Sequence, residues 1–259
     1  MRRLLIALLV LVFLVIGVAV LAPALIPTDM IRARTETAAQ EALGRDVTLE
    51  GNIRLQVLPR LQVRAEDARI ANAEGFGDEP FAQMQEMRVS VSLIPLLQRQ
   101  IEIEEFILVD PVIRLQSNAR GNNWTFGNNT EAVAQATPDE GFVRQPGALP
   151  FEASFGDVRI ENGAVTLDDG QQIRRFDALN LTIDLPSVDQ AVSLRGSFEA
   201  DGRPMNFNAE LGSLRGFFEG RETPFSTTLN GPLADLTLEG RFLESTELAF
   251  DGDMDVTLP

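Results

Sequence analysis

Four groups of side chains in this 259-residue chain have types and spacing that could do chemistry. Asp251, Asp253 and Asp255 alternate like the first oxygen ligands of a calcium loop. Met254, Val256 and Leu258 alternate with them and no distal Glu follows, so the solvated face of a strand accounts for the same acids. Glu102, Glu104 and Glu105 offer the paired carboxylates that glycoside hydrolysis needs. Successive acids on one strand also make a charged edge that discourages aggregation. Arg174-Arg175 could meet a lipid phosphate or lie in a solvated loop. Trp124, which follows Gly121-Asn122-Asn123, could anchor an interface or cap a packed turn. In each case the structural role is preferred, so no catalytic or metal site is expected.

Composition points the same way. Arginine supplies all 22 basic residues against 38 Asp and Glu, for a formal charge of −16, and the chain has no His, Cys, Lys or Tyr. Without His or Cys there is no Ser-His or Cys-His nucleophile and no His/Cys zinc site. Without Lys there is no Walker A grip on phosphate and no Schiff base. The expectation is a protein that is not an enzyme and needs no cofactor. Nucleic acid is an unsuitable partner, because neutralising phosphates takes a basic face. The absence of Cys is compatible with either redox compartment.

The elements that must position any site begin with a membrane segment. Arg2 and Arg3 precede Leu4 to Ala22, nineteen residues without a charge. At about 1.5 Å per residue these span roughly 28 Å, close to the hydrocarbon thickness of a bilayer. Ala22-Pro23-Ala24 resembles a signal-peptidase site, but the apolar run exceeds the h-region of a signal peptide, so an uncleaved anchor over 1–26 is expected. The arginines before it stay on the cytoplasmic side and the bulk of the chain is exported. Inner membrane, single-pass, with the body in the periplasm is the expected location.

A short helix is expected over 27–44, with Thr28 as N-cap and Gly44 as the stop. Strict alternation follows at Val47, Leu49, Ile53, Leu55 and Val57, which reads as one long strand with a dry face. It recurs at Leu61/Val63, at Met87/Val89/Val91/Leu93, and at Ile101/Ile103. At Glu104-Glu105 its parity shifts to Phe106 and Leu108, which points to a β-bulge or a strand end. Residues 127–150 lose all periodicity and read as a loop or linker. Alternation then resumes from Phe151, with turn signals at Asn162-Gly163, Asp169-Gly170, Asp201-Gly202, Asn230-Gly231 and Asp251-Gly252. Phe106–Leu115 can be laid over Val158–Leu167, with Ala68–Asn72 as a partial third copy, as if similar hairpins repeated. The sum is a mostly β body of roughly a dozen antiparallel strands.

Ordered motifs carry a resemblance. Gly44-Arg45-Asp46-Val47-Thr48-Leu49-Glu50-Gly51 is followed by Leu58-Pro59-Arg60-Leu61, Glu66-Asp67-Ala68-Arg69-Ile70-Ala71-Asn72 and Val91-Ser92-Leu93-Ile94-Pro95-Leu96-Leu97. Then come Asp110-Pro111-Val112-Ile113-Arg114-Leu115, Gly121-Asn122-Asn123-Trp124 and Phe155-Gly156-Asp157-Val158-Arg159-Ile160-Glu161-Asn162-Gly163. In order and spacing the set resembles the N-terminal region of the AsmA family of Gram-negative bacteria. The resemblance implies an extended, curved, repeating β-groove with an apolar concave face. It also implies a role in moving phospholipid toward the outer membrane and in outer-membrane assembly, without catalysis. It divides the body into a first module at 45–126 and a second at 151–259, whose far end is expected to be missing because family members continue further.

Alternation alone fits a sandwich core at least as well as a groove; the anchor and the resemblance reverse that order. The groove-lining candidates are then Val47, Leu49, Ile53, Leu55, Val57, Val89, Val91, Leu93, Ile101, Ile103, Leu181, Ile183, Phe207 and Leu211. The expected partners are the inner membrane and phospholipid. In the alternative reading, a non-catalytic tethered scaffold, they are proteins of the periplasm or of outer-membrane assembly.

Overall fold

The computed structural model describes residues 28–57, 60–93, 95, 102–118, 121–125, 155–232, 234–245 and 248–258. The expected membrane segment at 1–26, the linker at 127–150 and Ile101 lie outside these residues. No helix among the described residues is long and apolar enough to cross a membrane.

Helix α1 (Thr28–Leu43) ends at Gly44, whose φ of 67° places it in the left-handed region and whose N–H donates to the Gln40 carbonyl at 2.8 Å. It packs against the first two strands, β1 (Val47–Leu49) and β2 (Ile53–Gln56). The Glu36 carboxylate accepts the Leu49 N–H at 2.8 Å, and the Arg32 guanidinium donates to the Gly51 carbonyl at 2.8 Å. Helix side chains thus satisfy backbone groups that an edge strand would otherwise offer to another chain.

The other strands are β3 (Leu61–Ile70), β4 (Ala82–Val91), β5 (Ile103–Val109), β6 (Val112–Asn118), β7 (Gly121–Asn122), β8 (Phe155–Asp168), β9 (Ile173–Leu185), β10 (Val192–Ala200) and β11 (Arg203–Leu211). They are followed by helix α2 (Leu214–Phe218), β12 (Thr223–Asn230), β13 (Asp235–Phe242) and β14 (Phe250–Thr257). All fourteen strands join one sheet in the order β1-β3-β4-β5-β8-β9-β10-β11-β12-β13-β14. β2 lies beside β3, β6 beside β4 and β8, and β7 beside β6.

The sheet is mixed, where an all-antiparallel one was expected. β5 and β6 run parallel to β8, with Phe106 opposite Val158 and Ile113 opposite Val165. The two copies of the internal repeat are therefore neighbours in space. They are not hairpins. Asp110-Pro111 and Asn162-Gly163, which read as turns, are kinks at which a strand continues in the same direction with its parity reset. Asp110 has φ 48° and Asn162 φ 55°, and the Asn162 amide donates to the Asp110 carboxylate at 2.5 Å.

Asp67 in β3 (φ 52°) and Ala178 in β9 (φ 49°) carry the same kink, and the register joins these levels through Glu66, Glu86, Val109 and Glu161. The result is one crease across the sheet. On each side of it the apolar residues change from even to odd positions or the reverse, so the same face stays dry. This is why Phe106 and Leu108 give way to Ile113 and Leu115, and Val158 and Ile160 to Val165 and Leu167.

Two further expectations change. The single strand expected over Val47 to Val57 is two, broken at Gly51, where a Cβ would lie 2.6 Å from the Glu66 carbonyl oxygen. Asp251-Gly252 lies inside β14 and makes no turn. At Glu104 the register between β4 and β5 does slip by one residue, as a bulge requires. The packed core gathers Leu49, Ile53, Ala65, Ala68, Phe81, Ala82 and Met84, with Val63, Met87 and Leu108 among the partly buried residues around it.

Candidate functional site

Register turns the alternation into continuous files of side chains. One file runs Ile53, Ala65, Met87, Leu108, Ile160, Leu181, Gly196, Phe207, Leu229, Leu236 and Val256, each directly opposite the next. The file beside it runs Leu55, Val63, Val89, Phe106, Val158, Ile183, Leu194, Ala209, Thr227, Leu238 and Met254. Only Thr227 in either file is polar. Strands stack about 4.8 Å apart, so eleven strands carry this dry surface over roughly 50 Å before twist.

Burial varies along it. Leu49 and Ile53 are 2% and 5% exposed and belong to the packed cluster at the first end of the sheet. From Leu108 and Phe106 through Leu236 and Leu238 the side chains are half-buried, as expected of a sheet face that no second layer covers. Of the sequence-derived candidates, Leu55, Val89, Ile103, Leu181, Ile183, Phe207 and Leu211 stand on this face. Val91 joins Leu61 and Ile103 on it. Val47, Val57 and Leu93 are also half-buried. Alternation missed Leu194, Leu229 and Leu238 as candidates, although each continues a file.

Two margins bound the face. Along one, α2 and the loop after β9 form a wall in which Leu185, Val188 and Val192 are buried. The Ser213 hydroxyl accepts the Gly216 N–H at 2.9 Å to cap α2, and Arg215 ties the two loops by donating to the Asp189 carboxylate at 2.6 Å. Phe217 of α2 meets Phe242 at 4.9 Å between ring centroids, and Phe225 and Phe250 complete the aromatic cluster. Toward the other margin, the Phe176 and Phe198 rings meet edge-on at 5.5 Å. Phe207 lies over Gly196, where a Cβ would approach its ring to 2.8 Å.

The opposite face is ionic. Glu86, 7% exposed, pairs with both Arg64 and Arg88, and Arg88 also reaches Glu161 at 3.8 Å. Burial alone would raise the Glu86 pKa, but hydrogen bonds and charge from Arg88 and Arg64 outweigh it and hold the carboxyl below its ordinary value. Glu104 and Glu105 are occupied by Arg60 at 3.1 and 3.0 Å, with Ser92 and Ser90 donating to them. Asp251 pairs with Arg241 at 3.0 Å, and Asp251, Asp253 and Asp255 stand on the ionic face of β14. Among the described residues no group of three or more His, Cys, Asp or Glu is placed to hold a metal ion.

Trp124 is 39% exposed; its neighbour Asn123, fully buried, is the residue that organises this turn. The Asn123 amide donates to the Arg114 carbonyl at 2.8 Å and the Asn72 side chain at 2.9 Å, and its oxygen accepts the Gln116 N–H at 2.8 Å. An Asn in a Gly-Asn-Asn-Trp run does not stand out in sequence, because its partners lie on β6 and in the segment after β3. What the molecule presents is thus a two-sided sheet, with carboxylates neutralised by arginine on one side and a continuous dry surface on the other.

Comparison with known proteins matches residues 1–255 to the AsmA family. Protein AsmA of Escherichia coli (strain K12) is 24% identical over 236 residues, covering 86% of this chain and 38% of that protein. The chain therefore spans well under half the length of the curated relative it matches. No solved structure gives a significant match.

Proposed function

The chain belongs to the AsmA family, and we propose that its sheet is a trough that shields the acyl chains of phospholipid on their way between the membranes of a Gram-negative envelope. The inner membrane holds it by the N-terminal segment, the body stands in the periplasm, and the lipid moves toward the outer membrane, supporting its biogenesis. The modules at 45–126 and 151–259 act as one conduit, since β5 and β6 of the first pair with β8 of the second. The mechanism is cover, with no bond made or broken.

The observation that carries this reading is the pair of apolar files, unbroken by a charge over eleven strands and half-buried from β5 through β13. Two acyl chains with roughly thirty methylenes cost on the order of 24 kcal/mol to expose to water, at about 0.8 kcal/mol each. A lipid crossing an aqueous space needs a surface of this kind. A photoreactive residue at Val91, Ile183 or Leu238 should crosslink to phospholipid, whereas one at Thr182 on the ionic face should not. Equal labelling from both faces, or from neither, would sink the proposal.

A second reading rests on β14. Among the described residues it pairs with β13 alone, and Met254 and Val256 are exposed on it. Such a strand can pair with a further one, and where that strand comes from another protein the arrangement suits a tethered scaffold in outer-membrane assembly. Protein adducts from Met254 in the absence of any lipid adduct from Ile183 would favour this reading over the conduit.

A further inference from the structure

Two of the files on the dry face end on arginine. The file through Ile113, Val165, Phe176 and Ala200 ends on Arg203. In the next file outward, Leu115 and Leu167 lead to Arg174. Both arginines therefore belong to the apolar face, at the margin formed by the tips of the β8–β9 and β10–β11 hairpins. The run Arg174-Arg175 divides between faces: Arg175 points to the ionic side and pairs with Asp177 at 2.8 Å.

Charge balance separates these two from most arginines of the ionic face, Arg195 being the exception among the described residues. Arg54, Arg64, Arg88, Arg159 and Arg241 each meet a carboxylate. Among the described residues neither Arg174 nor Arg203 lies within ion-pair distance of a carboxylate; Arg174 donates to the Gln172 side chain at 3.0 Å and acts on the Asp169 carboxyl through its charge alone. The nearby turn acid, Asp169, directs one oxygen at the Gln171 and Gln172 N–H groups, at 2.9 and 2.7 Å. In a chain of formal charge −16, two exposed guanidinium groups outside ion-pair distance of any described carboxylate, at the rim of a dry surface, form a local site for an anion.

We propose that Arg174 and Arg203 hold the phosphate of a phospholipid whose acyl chains lie on the apolar files, a role that rests on the trough reading. Their strands flank β10, so their Cα atoms stand roughly 12 Å apart, about 10 Å across two strand spacings and about 7 Å along the strand. Arg174 and Arg203 stand directly opposite Leu167 and Ala200 and are exposed, so their stems can cover apolar surface while the guanidinium forks reach water. Each fork can bind phosphate oxygens in two-point fashion, which an ammonium cannot. The Phe176 and Phe198 rings beside them offer apolar contact for the first methylenes below the headgroup.

The test uses the full chain purified in detergent and titrated with two lipids carrying the same photoreactive acyl chain, phosphatidylglycerol and uncharged diacylglycerol. The double variant R174Q/R203Q should bind phosphatidylglycerol about tenfold more weakly and diacylglycerol as before, with an unchanged unfolding midpoint. R195Q serves as control, since Arg195 is exposed on the opposite face of β10. Restoring charge with R174K/R203K should recover only part of the loss. Unchanged phosphatidylglycerol binding by the double variant overturns the site, as does an equal loss of both lipids. Inorganic phosphate that displaces phosphatidylglycerol at matching concentration also overturns it, by showing a site for the free anion. Diacylglycerol binding by the unaltered chain tests the trough independently. If diacylglycerol binds and only the arginine effect is absent, the trough stands without this site. If neither lipid binds, both ideas fall.

Discussion

At the scale of single residues, Glu86 and Gly196 show how each face constrains its side chains. Glu86 is buried between Arg64 and Arg88, and its carboxyl titrates below the ordinary value. A carboxyl depressed in the folded state contributes stability that is present above the unfolded pKa of about 4.3 and is lost as pH falls through the lower folded value. Glu86→Gln should therefore flatten the acid limb of a stability-versus-pH curve in that window. At pH 7 it should cost about 2 kcal/mol, as expected for a charge-assisted hydrogen-bond pair; an unaltered acid limb would show that the pairing contributes nothing. At Gly196 a Cβ would fall 2.2 Å from the Asn180 carbonyl oxygen and 2.8 Å from the Phe207 ring. Gly196→Ala should destabilise by about 1–3 kcal/mol in denaturant unfolding, and combining it with Phe207→Leu should recover only part, because the backbone clash remains. The sequence marks Gly196 only as a gap in an alternating strand. Its reason lies on two other strands.

Among the elements, the crease is where sequence reasoning and structure part. Asp110-Pro111 and Asn162-Gly163 are dipeptides that suit tight turns, and the same tolerance of positive φ suits a strand that resets its parity. Only the neighbours distinguish the two uses: β4 and β8 run past the kink at Asp110-Pro111 and hold β5 and β6 in line. Ala178 is the one crease position whose side chain gains nothing from the left-handed conformation, which costs an L-residue about 1–2 kcal/mol. Ala178→Asn should raise stability by about 0.5–1 kcal/mol in chemical denaturation, since Asn tolerates this region and has local hydrogen bonds to offer. A loss of stability would mean that the Ala178 methyl is needed where it is. Helix α1, by contrast, was readable from its boundaries, because Gly44 stops a helix for local reasons. That Glu36 would meet the Leu49 N–H was not, and Glu36→Ala should cost about 1 kcal/mol by removing that acceptor.

For the whole molecule, the dry face predicts that Ile183→Asp blocks lipid crosslinking and transport while the protein still accumulates, since its side chain is half-buried and not part of the packed core. Leu49→Asp differs: it places a charge in the first core and should lower the folded yield itself. Measuring abundance alongside crosslinking separates the two outcomes. What the amino-acid sequence by itself determined is the local alternation, and with it which side of each strand is dry, where α1 stops, the parity shift at Glu104-Glu105, and the exclusion of His, Cys and Lys chemistry. These depend on a side-chain period of two or on residue type alone. What only the tertiary structure decided is which strands are neighbours, that β5 and β6 run parallel to β8, that Leu49 and Ile53 lie in a core while Ile183 does not, and that Arg174 and Arg175 take opposite faces. Those depend on hydrogen-bonded register between segments as much as fifty residues apart, and a period of two, restarted at every kink, carries no record of its partner.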